Sequence, residues 1–415
     1  MRVIYIVLSY FILIFSPIII VYRILKKKEN LLRIFERYSF ASKKRKIGKL
    51  IWFHCSSVGE LLSLVPLIEK FEYNKDINQI LITTNTLSSS KIFEQLDFKK
   101  TIHQFFPIDN DLIIDKFIKY WKPSALFLCE SEVWPNLIEK LKKNKIRLIL
   151  INGRMTLKSF KKWKKFKTFS NEIFRSFDLC LTQNKETQRR LKILGAKKNL
   201  YLGNLKFTTS KKFMSDTLDK KIVNFFNKKK ILITAASTHF DEESFIFQNH
   251  LIFKKKKLKN LISIIIPRHA ERAFEIKNKA EQFGFNVTLH SSKEKLNSKT
   301  DIYLVDTYGE VSKFYKISNI VFIGGSLIDH GGQNPLEPAK FGCKIIHGPF
   351  ISNFKEIFQK LKFMGITSEF KSYETGIKII EKKIKKNSKS FKNNKIIKYG
   401  KKVLDLNYAQ LKKFI

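Results

Sequence analysis

Short apolar runs alternate along this chain with longer lysine-rich stretches of helical period, and this alternation restricts the fold more than any other feature. Repeated strand-then-helix units are typical of βα folds with a parallel sheet. The predicted strands fall into two series: Leu50 to Phe53, Ile80 to Thr84, Ala125 to Cys129, Arg147 to Ile151 and Leu179 to Thr182, then Ile231 to Thr234, Leu261 to Ile266, Ile302 to Val305, Ile320 to Ile323 and Lys344 to Ile346. The sequence therefore predicts an α/β protein with two doubly wound domains.

A charged stretch without a strand pattern, Asp216 to Lys230, separates the two series. We place an N-terminal Rossmann-like domain at residues 29–215 and a C-terminal one at residues 216–415. Residues 1–28 precede them as a membrane anchor with a basic flank. The sequence leaves open whether the last helix packs back onto the N-terminal domain.

The N-terminal segment is long and apolar enough for a membrane anchor. Val3 to Tyr22 contains no charged residue, and its helical length matches the thickness of a hydrocarbon core. The basic residues Arg23 and 26–28 prefer the cytoplasmic face. A cleaved signal peptide is the alternative. However, Arg2 alone makes a weakly charged n-region, and no small-x-small cleavage site precedes the basic cluster. Pro17 and two serines leave open a helix that enters the bilayer without crossing it.

The charge of the chain restricts its partners. A formal net charge of +44 favours anionic lipid, phosphorylated ligands or nucleic acid. Lysine, asparagine and isoleucine are frequent throughout, as an AT-rich genome would produce, so we assign no specific meaning to about half of the excess charge. No nucleic-acid motif is present, and we predict no such partner. The four cysteines lie far apart, which predicts a reducing compartment.

Polar residues follow the predicted strands of the first half, where doubly wound domains bind their ligands. Glu60 comes at the turn after the first strand, in the string SSVGE at 56–60. It either complements the dipole of the next helix or serves as a general base. Glu130 and Glu132 flank a serine after the third strand, in ESEVWPN at 130–136. Two acids in a turn fixed by an aromatic residue and a proline indicate a polar site more than a helix cap.

Stronger signals lie in the second half. Arg268 follows an apolar strand, where its guanidinium is able to bind a phosphate through two hydrogen bonds. The glycines at 324–325 and 331–332 precede a helix that begins with a proline, which would leave backbone N–H groups free for an anion. Glu337 in that helix is a candidate for binding ribose hydroxyls. A turn that needs glycine only for its geometry is the alternative.

Neither the glycine-rich stretch nor the histidines match a common metal or nucleotide motif. No Gly-Lys-Ser/Thr follows the glycines, so this is not a Walker loop. His239 and His269 each follow a strand, and a single histidine is more often structural than catalytic. Nothing has the His-Glu-x-x-His spacing of a zinc site, and we predict no protein-built metal centre.

Taken in order, the motifs of both halves closely resemble the 3-deoxy-D-manno-octulosonic acid (Kdo) transferases of lipopolysaccharide synthesis. The matching strings are SSVGE at 56–60, ESEVWPN at 130–136, GNLKF at 203–207, AASTH at 235–239, PRH at 267–269 and the glycine-rich stretch at 324–338. The resemblance runs from the anchor to about residue 360, and the final motif is highly specific. At Tyr308 the chain departs from the family, which commonly has methionine there.

The resemblance implies a GT-B fold, with two domains facing a central cleft, on the cytoplasmic side of a bacterial inner membrane. It implies inverting transfer of Kdo from CMP-Kdo, a co-substrate, to the lipid A precursor lipid IVA, without a cofactor or metal. Carried across by motif, Glu60 is the catalytic base, and Glu130 and Lys206 stabilise the transition state. The residues expected to bind CMP are Pro267, Arg268, Gly309, Glu310, Val311, Asn334, Pro335, Leu336 and Glu337.

Two other hypotheses stay open at this point. A GT-B transferase that uses a UDP-sugar would have the same fold, and a panel of donors separates the two. A non-catalytic, membrane-tethered protein that binds acidic lipids would explain the charge. The presence of Glu60, Glu130, Lys206 and Arg268 argues against it.

Overall fold

We describe the protein from a computed structural model, in residues 1–208, 218–228, 230–256, 261–292, 297–385 and 394–415. The chain divides into two compact units, Met1–Lys212 together with Tyr399–Ile415, and Phe213–Lys398. The domain boundary expected between residues 215 and 216 lies outside the described residues. The C-terminal segment belongs to the first unit.

A seven-stranded parallel sheet forms the centre of the first unit, in the order β3-β2-β1-β4-β5-β6-β7. Its strands are β1 Leu50–Cys55, β2 Gln79–Thr84, β3 Thr101–Phe105, β4 Ala125–Cys129, β5 Arg147–Gly153, β6 Leu179–Thr182 and β7 Asn199–Tyr201. The helices are α1 Arg2–Leu25, α2 Val58–Glu72, α3 Leu87–Glu94, α4 Asp111–Trp121, α5 Pro135–Lys143, α6 Leu157–Lys165, α7 Lys167–Arg175 and α8 Lys185–Leu194, with 3-10 turns at Leu31–Tyr38 and Leu205–Phe207.

Both faces of this sheet are buried. Leu50 and Trp52 of β1 pack into one hydrophobic cluster, and the alternate residues Ile51 and Phe53 pack into another on the opposite face. A parallel sheet covered on both sides requires near-continuous apolar strands, which is the pattern that the sequence shows. The turns after several strands carry side chains that cap the next helix, such as Asn110 before α4.

A second seven-stranded parallel sheet, in the order β10-β11-β9-β8-β12-β13-β14, forms the other unit. Its strands are β8 Lys230–Thr238, β9 Leu261–Pro267, β10 Val287–Leu289, β11 Ile302–Leu304, β12 Ile320–Ile323, β13 Lys344–His347 and β14 Thr367–Glu369. The helices are α9 Lys220–Asn227, α10 Glu242–Lys255, α11 Ala273–Gln282, α12 Val311–Tyr315, α13 Leu336–Lys340, α14 Lys355–Phe363 and α15 Tyr373–Lys385, with 3-10 turns at Ala270–Arg272 and Ser352–Phe354. The prediction of two doubly wound parallel-sheet domains is confirmed.

The last helix, α16 Asn394–Leu411, is followed by a 3-10 turn at Lys412–Phe414. Val403 and Leu411 of α16 are buried in the same cluster as Ile51 and Phe53. The ring of Tyr408 lies 4.8 Å from that of Phe71 in α2. The end of the chain therefore completes the core of the first unit.

One helix of the described residues, α1, has the length and apolar composition to cross a bilayer. The four cysteines are free and buried.

Candidate active site

The sheet order of the first unit brings two predicted acids to one place. Strand β1 has β2 on one side and β4 on the other. Successive strands are added on one side of β1 up to β3 and on the other side from β4 onward, so the strand order reverses between β1 and β4. In doubly wound sheets this switch point is where ligands bind. Glu60 follows β1 and Glu130 follows β4.

Glu60 lies in the first turn of α2, and its carboxylate closes the turn before the helix. It accepts hydrogen bonds from the backbone N–H of Ser56 at 2.8 Å and from the Ser57 hydroxyl at 3.1 Å, while Ser57 Oγ accepts from the Glu60 N–H at 3.3 Å. This reciprocal arrangement resembles a capping box. Glu60 thus stabilises the start of α2. Its suitability as a base depends on its pKa.

Burial, together with the charges of Glu130 and Glu132, raises the pKa of Glu60 to about 7, although the hydrogen bonds from Ser56 and Ser57 act to lower it. A carboxylate with a pKa near the working pH is suited to general-base catalysis, since it is both partly ionised and able to take up a proton. Structural acids at helix ends usually have the opposite shift. The pKa therefore favours the chemical role.

Glu130 and Lys206 form an ion pair, with Nζ 2.6 Å from Oε1. Glu130 is only 4% exposed. Its φ is +56°, a left-handed conformation that is uncommon outside glycine and often marks functional sites. The sequence motif at 203–207 thus reaches the motif at 130–136 through a direct contact.

The loop that carries Lys206 is fixed from two sides. Asn152, near the end of β5, accepts a hydrogen bond from the Leu205 N–H at 3.0 Å. Asn204 caps the short turn by accepting from the Lys206 N–H at 2.8 Å. On the other side, a Cβ at Gly400 of α16 would lie 2.4 Å from the Phe207 carbonyl oxygen. The close approach of α16 therefore needs glycine at this position.

Glu132, the second acid of the motif, has other partners. It accepts a hydrogen bond from Trp134 Nε1 at 2.9 Å, and its Oε2 lies 3.3 Å from Nε2 of the buried His54. Burial raises the pKa of Glu132, but the hydrogen bonds and charge of His54, together with those from Ser56 and Trp134, outweigh it and hold the pKa below its usual value. Glu132 is thus a permanent negative charge beside Glu60.

In the second unit the switch point lies between β8 and β12. The strands approach so closely there that a Cβ at Gly324 would lie 2.1 Å from the Ser237 carbonyl oxygen. Gly325 has a φ of +67°. Both glycines are therefore required by backbone geometry, as in the alternative weighed from the sequence.

The amides of this glycine turn have a protein partner, which corrects our expectation that they are free. The carboxylate of Glu242, at the start of α10, accepts hydrogen bonds from the N–H groups of Gly325, Ser326 and Leu327 at 2.6, 3.0 and 2.9 Å. It accepts another from the His239 N–H at 2.9 Å. An internal carboxylate thus binds the N–H groups of residues 325–327 and fixes the turn.

The helix after the glycines is short. α13 has five residues and begins at Leu336, with Pro335 as its N-cap residue. Asn334 Oδ1 accepts a hydrogen bond from the Leu336 N–H at 3.1 Å. Glu337 lies in its first turn and is exposed. A helix this short has a weak dipole, so any ligand here would be bound mainly by side chains.

The remaining predicted CMP residues lie in two loops at the same edge of this sheet, because β11 is next to β9. Tyr308 joins the loops: its hydroxyl donates to Glu271 and accepts from the Ala270 N–H at 3.3 Å. Arg268 is exposed, and its guanidinium has no hydrogen bond or ion pair with any described residue. Gly309 has a φ of +84°, in the loop that leads to Glu310 and Val311 at the start of α12.

Three histidines lie near the glycine turn. The ring of His239 is 4.1 Å from that of His330 and 6.1 Å from that of His269, and Gln333 Nε2 lies 3.1 Å from His239 Nε2. Burial, and after it the charges of the neighbouring histidines and arginines, lowers the pKa of His239 to about 4. His239 is therefore neutral at pH 7. In the described parts of the chain, no group of three His, Cys, Asp or Glu side chains is placed to bind a metal ion.

Sequence reasoning did not single out Glu242. Its signal was nevertheless present, since it follows a strand and a polar turn and begins a helix, as Glu60 does. The partners that define its role lie 83 to 85 residues further along the chain. Only the folded structure brings them together.

Comparisons with known proteins agree with the resemblance found in the motifs. The family model described as "3-Deoxy-D-manno-octulosonic-acid transferase (kdotransferase)" matches residues 32–209. The chain is 32% identical to the 3-deoxy-D-manno-octulosonic acid transferase of Rickettsia bellii, over 98% of each chain. It is also 32% identical to the enzyme of that name from Haemophilus influenzae, over 79% of this chain and 78% of the relative.

A solved structure shows the same fold with little sequence identity. The UDP-GlcNAc 2-epimerase from Neisseria meningitidis bound to UDP-GlcNAc matches with a TM-score of 0.57 at 12% identity, over 88% of this chain and 100% of that one. Together with the two parallel sheets, this likeness identifies the fold as GT-B type.

Proposed function

Because this chain belongs to the 3-deoxy-D-manno-octulosonic acid (Kdo) transferase family, and is thus a Kdo glycosyltransferase, we propose that it transfers Kdo from CMP-Kdo to lipid IVA. In this proposal the reaction inverts the anomeric centre and needs no metal ion. It takes place on the cytoplasmic side of a bacterial inner membrane, with Glu60 as the general base.

The observation that carries the proposal is the place of Glu60 at the switch point of the first sheet, together with its pKa, which burial raises to about 7. A hydroxyl of the lipid IVA glucosamine attacks the anomeric carbon of Kdo and gives its proton to the Glu60 carboxylate. The bond between that carbon and the CMP phosphate oxygen breaks at the same time, and CMP leaves with the electron pair. Since attack and departure occur on opposite faces, the configuration inverts.

The ion pair of Glu130 and Lys206 supports the same reaction. Lys206 Nζ is 2.6 Å from a buried carboxylate and its side chain is 25% exposed, so the ammonium is held in place and still accessible. A cation fixed in advance stabilises developing negative charge without the cost of reorganisation. We propose that Lys206 balances the carboxylate of Kdo or the leaving phosphate, and that Glu130 positions it.

In the second unit, the exposed guanidinium of Arg268 is the group best suited to bind the CMP phosphate, because it has no partner among the described residues. An arginine able to form two parallel hydrogen bonds is the usual choice for phosphate recognition. The loop of Gly309, Glu310 and Val311 and the stretch 334–337 would bind the rest of CMP. The tyrosine bridge at Tyr308 holds two of these loops together.

The direct test is mass spectrometry of the product that the purified protein makes from CMP-Kdo and lipid IVA. We expect lipid IVA to gain the mass of Kdo in the presence of EDTA, and we expect Glu60→Gln to make no product while it folds normally. A matched control is Glu69→Gln, an acid later in α2. Product formed only from a UDP-sugar would overturn the donor assignment.

Two further outcomes would contradict other parts of the proposal. Full activity of Glu60→Gln would remove Glu60 from the base role. Lipid binding without turnover of any donor, retained after loss of Glu60, Glu130, Lys206 and Arg268, would indicate a non-catalytic lipid-binding protein. The number of Kdo units added follows from the same mass spectrum.

A further inference from the structure

The N-terminal helix α1 contacts the first unit along a narrow stripe that contains most of its polar residues. Ser9 and Ser16 are buried on this stripe, as is Ile20. The Tyr5 hydroxyl donates to Asp109 at 2.7 Å, and Ser16 Oγ lies 2.8 Å from the Tyr38 hydroxyl. The spacing of three and four residues keeps these side chains on one face of the helix.

The contacts extend over the whole helix. At its start Arg2 forms an ion pair with Glu139 of α5, and at its end Arg23 Nε lies 2.7 Å from Glu29, which also pairs with Arg37 of the following 3-10 turn. At a rise of 1.5 Å per residue these two ion pairs are about 30 Å apart, which is the thickness of a hydrocarbon core. The globular unit therefore lies beside α1 over the full length that a membrane-spanning helix would use.

The opposite face of α1 is apolar and exposed. Most of its large side chains are at least half exposed to solvent, namely Val3, Ile4, Leu8, Phe11, Ile12, Ile14, Phe15, Ile18, Val21, Tyr22 and Leu25. The 3-10 turn directly after α1 exposes Leu31, Leu32 and Phe35 as well. Soluble monomers rarely expose contiguous apolar surfaces of this extent.

A spanning α1 is incompatible with these contacts. The groups that bind its polar stripe include Asp109, which also accepts hydrogen bonds from the N–H groups of Asn136 and Leu137 at the start of α5. Moving α1 across a bilayer would either break the stripe or carry Asp109 and Glu139 into hydrocarbon. Charged and polar groups at that depth are costly, and backbone that faces lipid must be fully paired.

We propose that α1 does not cross the membrane but lies flat in its cytoplasmic interface, with the polar stripe docked on the first unit and the apolar face inserted into an anionic phospholipid bilayer. The basic residues 26–28, directly after α1, then meet anionic head groups on the same side. The composition of α1 resembles a spanning helix only because the globular unit supplies the polar surface that an interfacial helix normally carries itself.

This inference rests on the proposed membrane location but not on the sugar that is transferred. It is tested with the full-length protein carrying one epitope tag before Met1 and a different one after Ile415, in inner-membrane vesicles of both orientations treated with protease. We expect both tags to be digested in inside-out vesicles and both to be protected in right-side-out vesicles. A protein with a single spanning helix and the same two tags serves as the control.

Digestion of the N-terminal tag alone in right-side-out vesicles would overturn the inference, since it would mean that α1 crosses the bilayer. Digestion of both tags from the outer side would leave α1 interfacial and contradict only the proposed cytoplasmic location. Recovery of the protein in the soluble fraction would contradict both. Transfer measured in detergent with the same tagged protein tests the enzymatic proposal separately.

Discussion

At the level of single residues, Glu60 combines a structural role at the start of α2 with a carboxylate whose pKa burial raises to about 7. We expect kcat/KM to rise about tenfold per pH unit below this pKa and to level off above it, since only the ionised form accepts a proton. A pH profile of the purified enzyme checks this. Glu60 titrates between about pH 5 and pH 8, and a flat profile over this range would exclude it as the base.

The same shift predicts how stability depends on pH. The pKa of Glu60 is higher in the folded protein than the ordinary value of 4.5, so the folded state binds the proton more tightly and stability falls as pH rises from about 4.5 to about 7. Above that range Glu60→Gln should raise the free energy of unfolding by on the order of 1–2 kcal/mol, discounted for partial exposure. Thermal melts at pH 5 and pH 8 measure it, and the gain should be absent at the lower pH.

The pair of Glu130 and Lys206 predicts an asymmetry between single and double variants. Lys206→Met leaves a carboxylate that is 4% exposed without its cation, which we expect to cost about 3 kcal/mol of folding free energy. Glu130→Gln together with Lys206→Met should cost less than Lys206→Met alone. Chemical denaturation of the unchanged protein, of Glu130→Gln, of Lys206→Met and of the double variant forms a double-mutant cycle, and additive costs would contradict the pairing.

Sequence patterns located Glu60, Glu130 and Lys206 because each follows a strand in a distinctive motif, and the structure brings Lys206 onto Glu130. Their catalytic roles stay predictions. The patterns could not show that Glu130 has a left-handed backbone or that His54 lies beside Glu132. Such features depend on contacts between residues far apart in the chain.

At the level of elements, the strands that the sequence reasoning did not predict are all at the edges of the two sheets. They are β3 and β7 in the first unit and β10 and β14 in the second. Three of them have only three residues, and β3 contains His103 and Gln104. An edge strand is less enclosed by neighbours, so it does not need the apolar run that identifies a central strand.

The glycine turn after β12 depends on Glu242, a buried acid 1% exposed. Glu242→Gln replaces one acceptor oxygen with an N–H₂ group that faces backbone N–H donors, so the turn must shift. We expect the affinity for CMP to fall at least tenfold, as measured by calorimetry. Glu275→Gln is the matched control, because this acid in α11 pairs at the surface with Arg272. Unchanged CMP affinity in Glu242→Gln would show that the turn does not support donor binding.

At the level of the whole molecule, residues from both ends of the sequence complete the first unit. Leu411 of α16 is fully buried in its core, whereas Leu406 of the same helix is 41% exposed. We expect Leu411→Ala to lower the stability of this unit by about 2–5 kcal/mol, and Leu406→Ala to change it by less than about 0.5 kcal/mol.

Tryptophan fluorescence is a selective measure of that loss. The four tryptophans of the chain are Trp52, Trp121, Trp134 and Trp163, and all belong to the first unit. An unfolding curve recorded by fluorescence therefore reports on this unit alone. Equal effects of Leu411→Ala and Leu406→Ala on that curve would contradict the placement of α16.

The return of α16 to the first unit also sets an order for biosynthesis. On the ribosome, the strands of the first sheet emerge early, but the segment from Tyr399 to Ile415 emerges only after the entire second unit. Until then the nascent chain exposes the hydrophobic surface around Ile51 and Phe71 that α16 later covers. The first unit therefore cannot complete its core until the second unit has been translated.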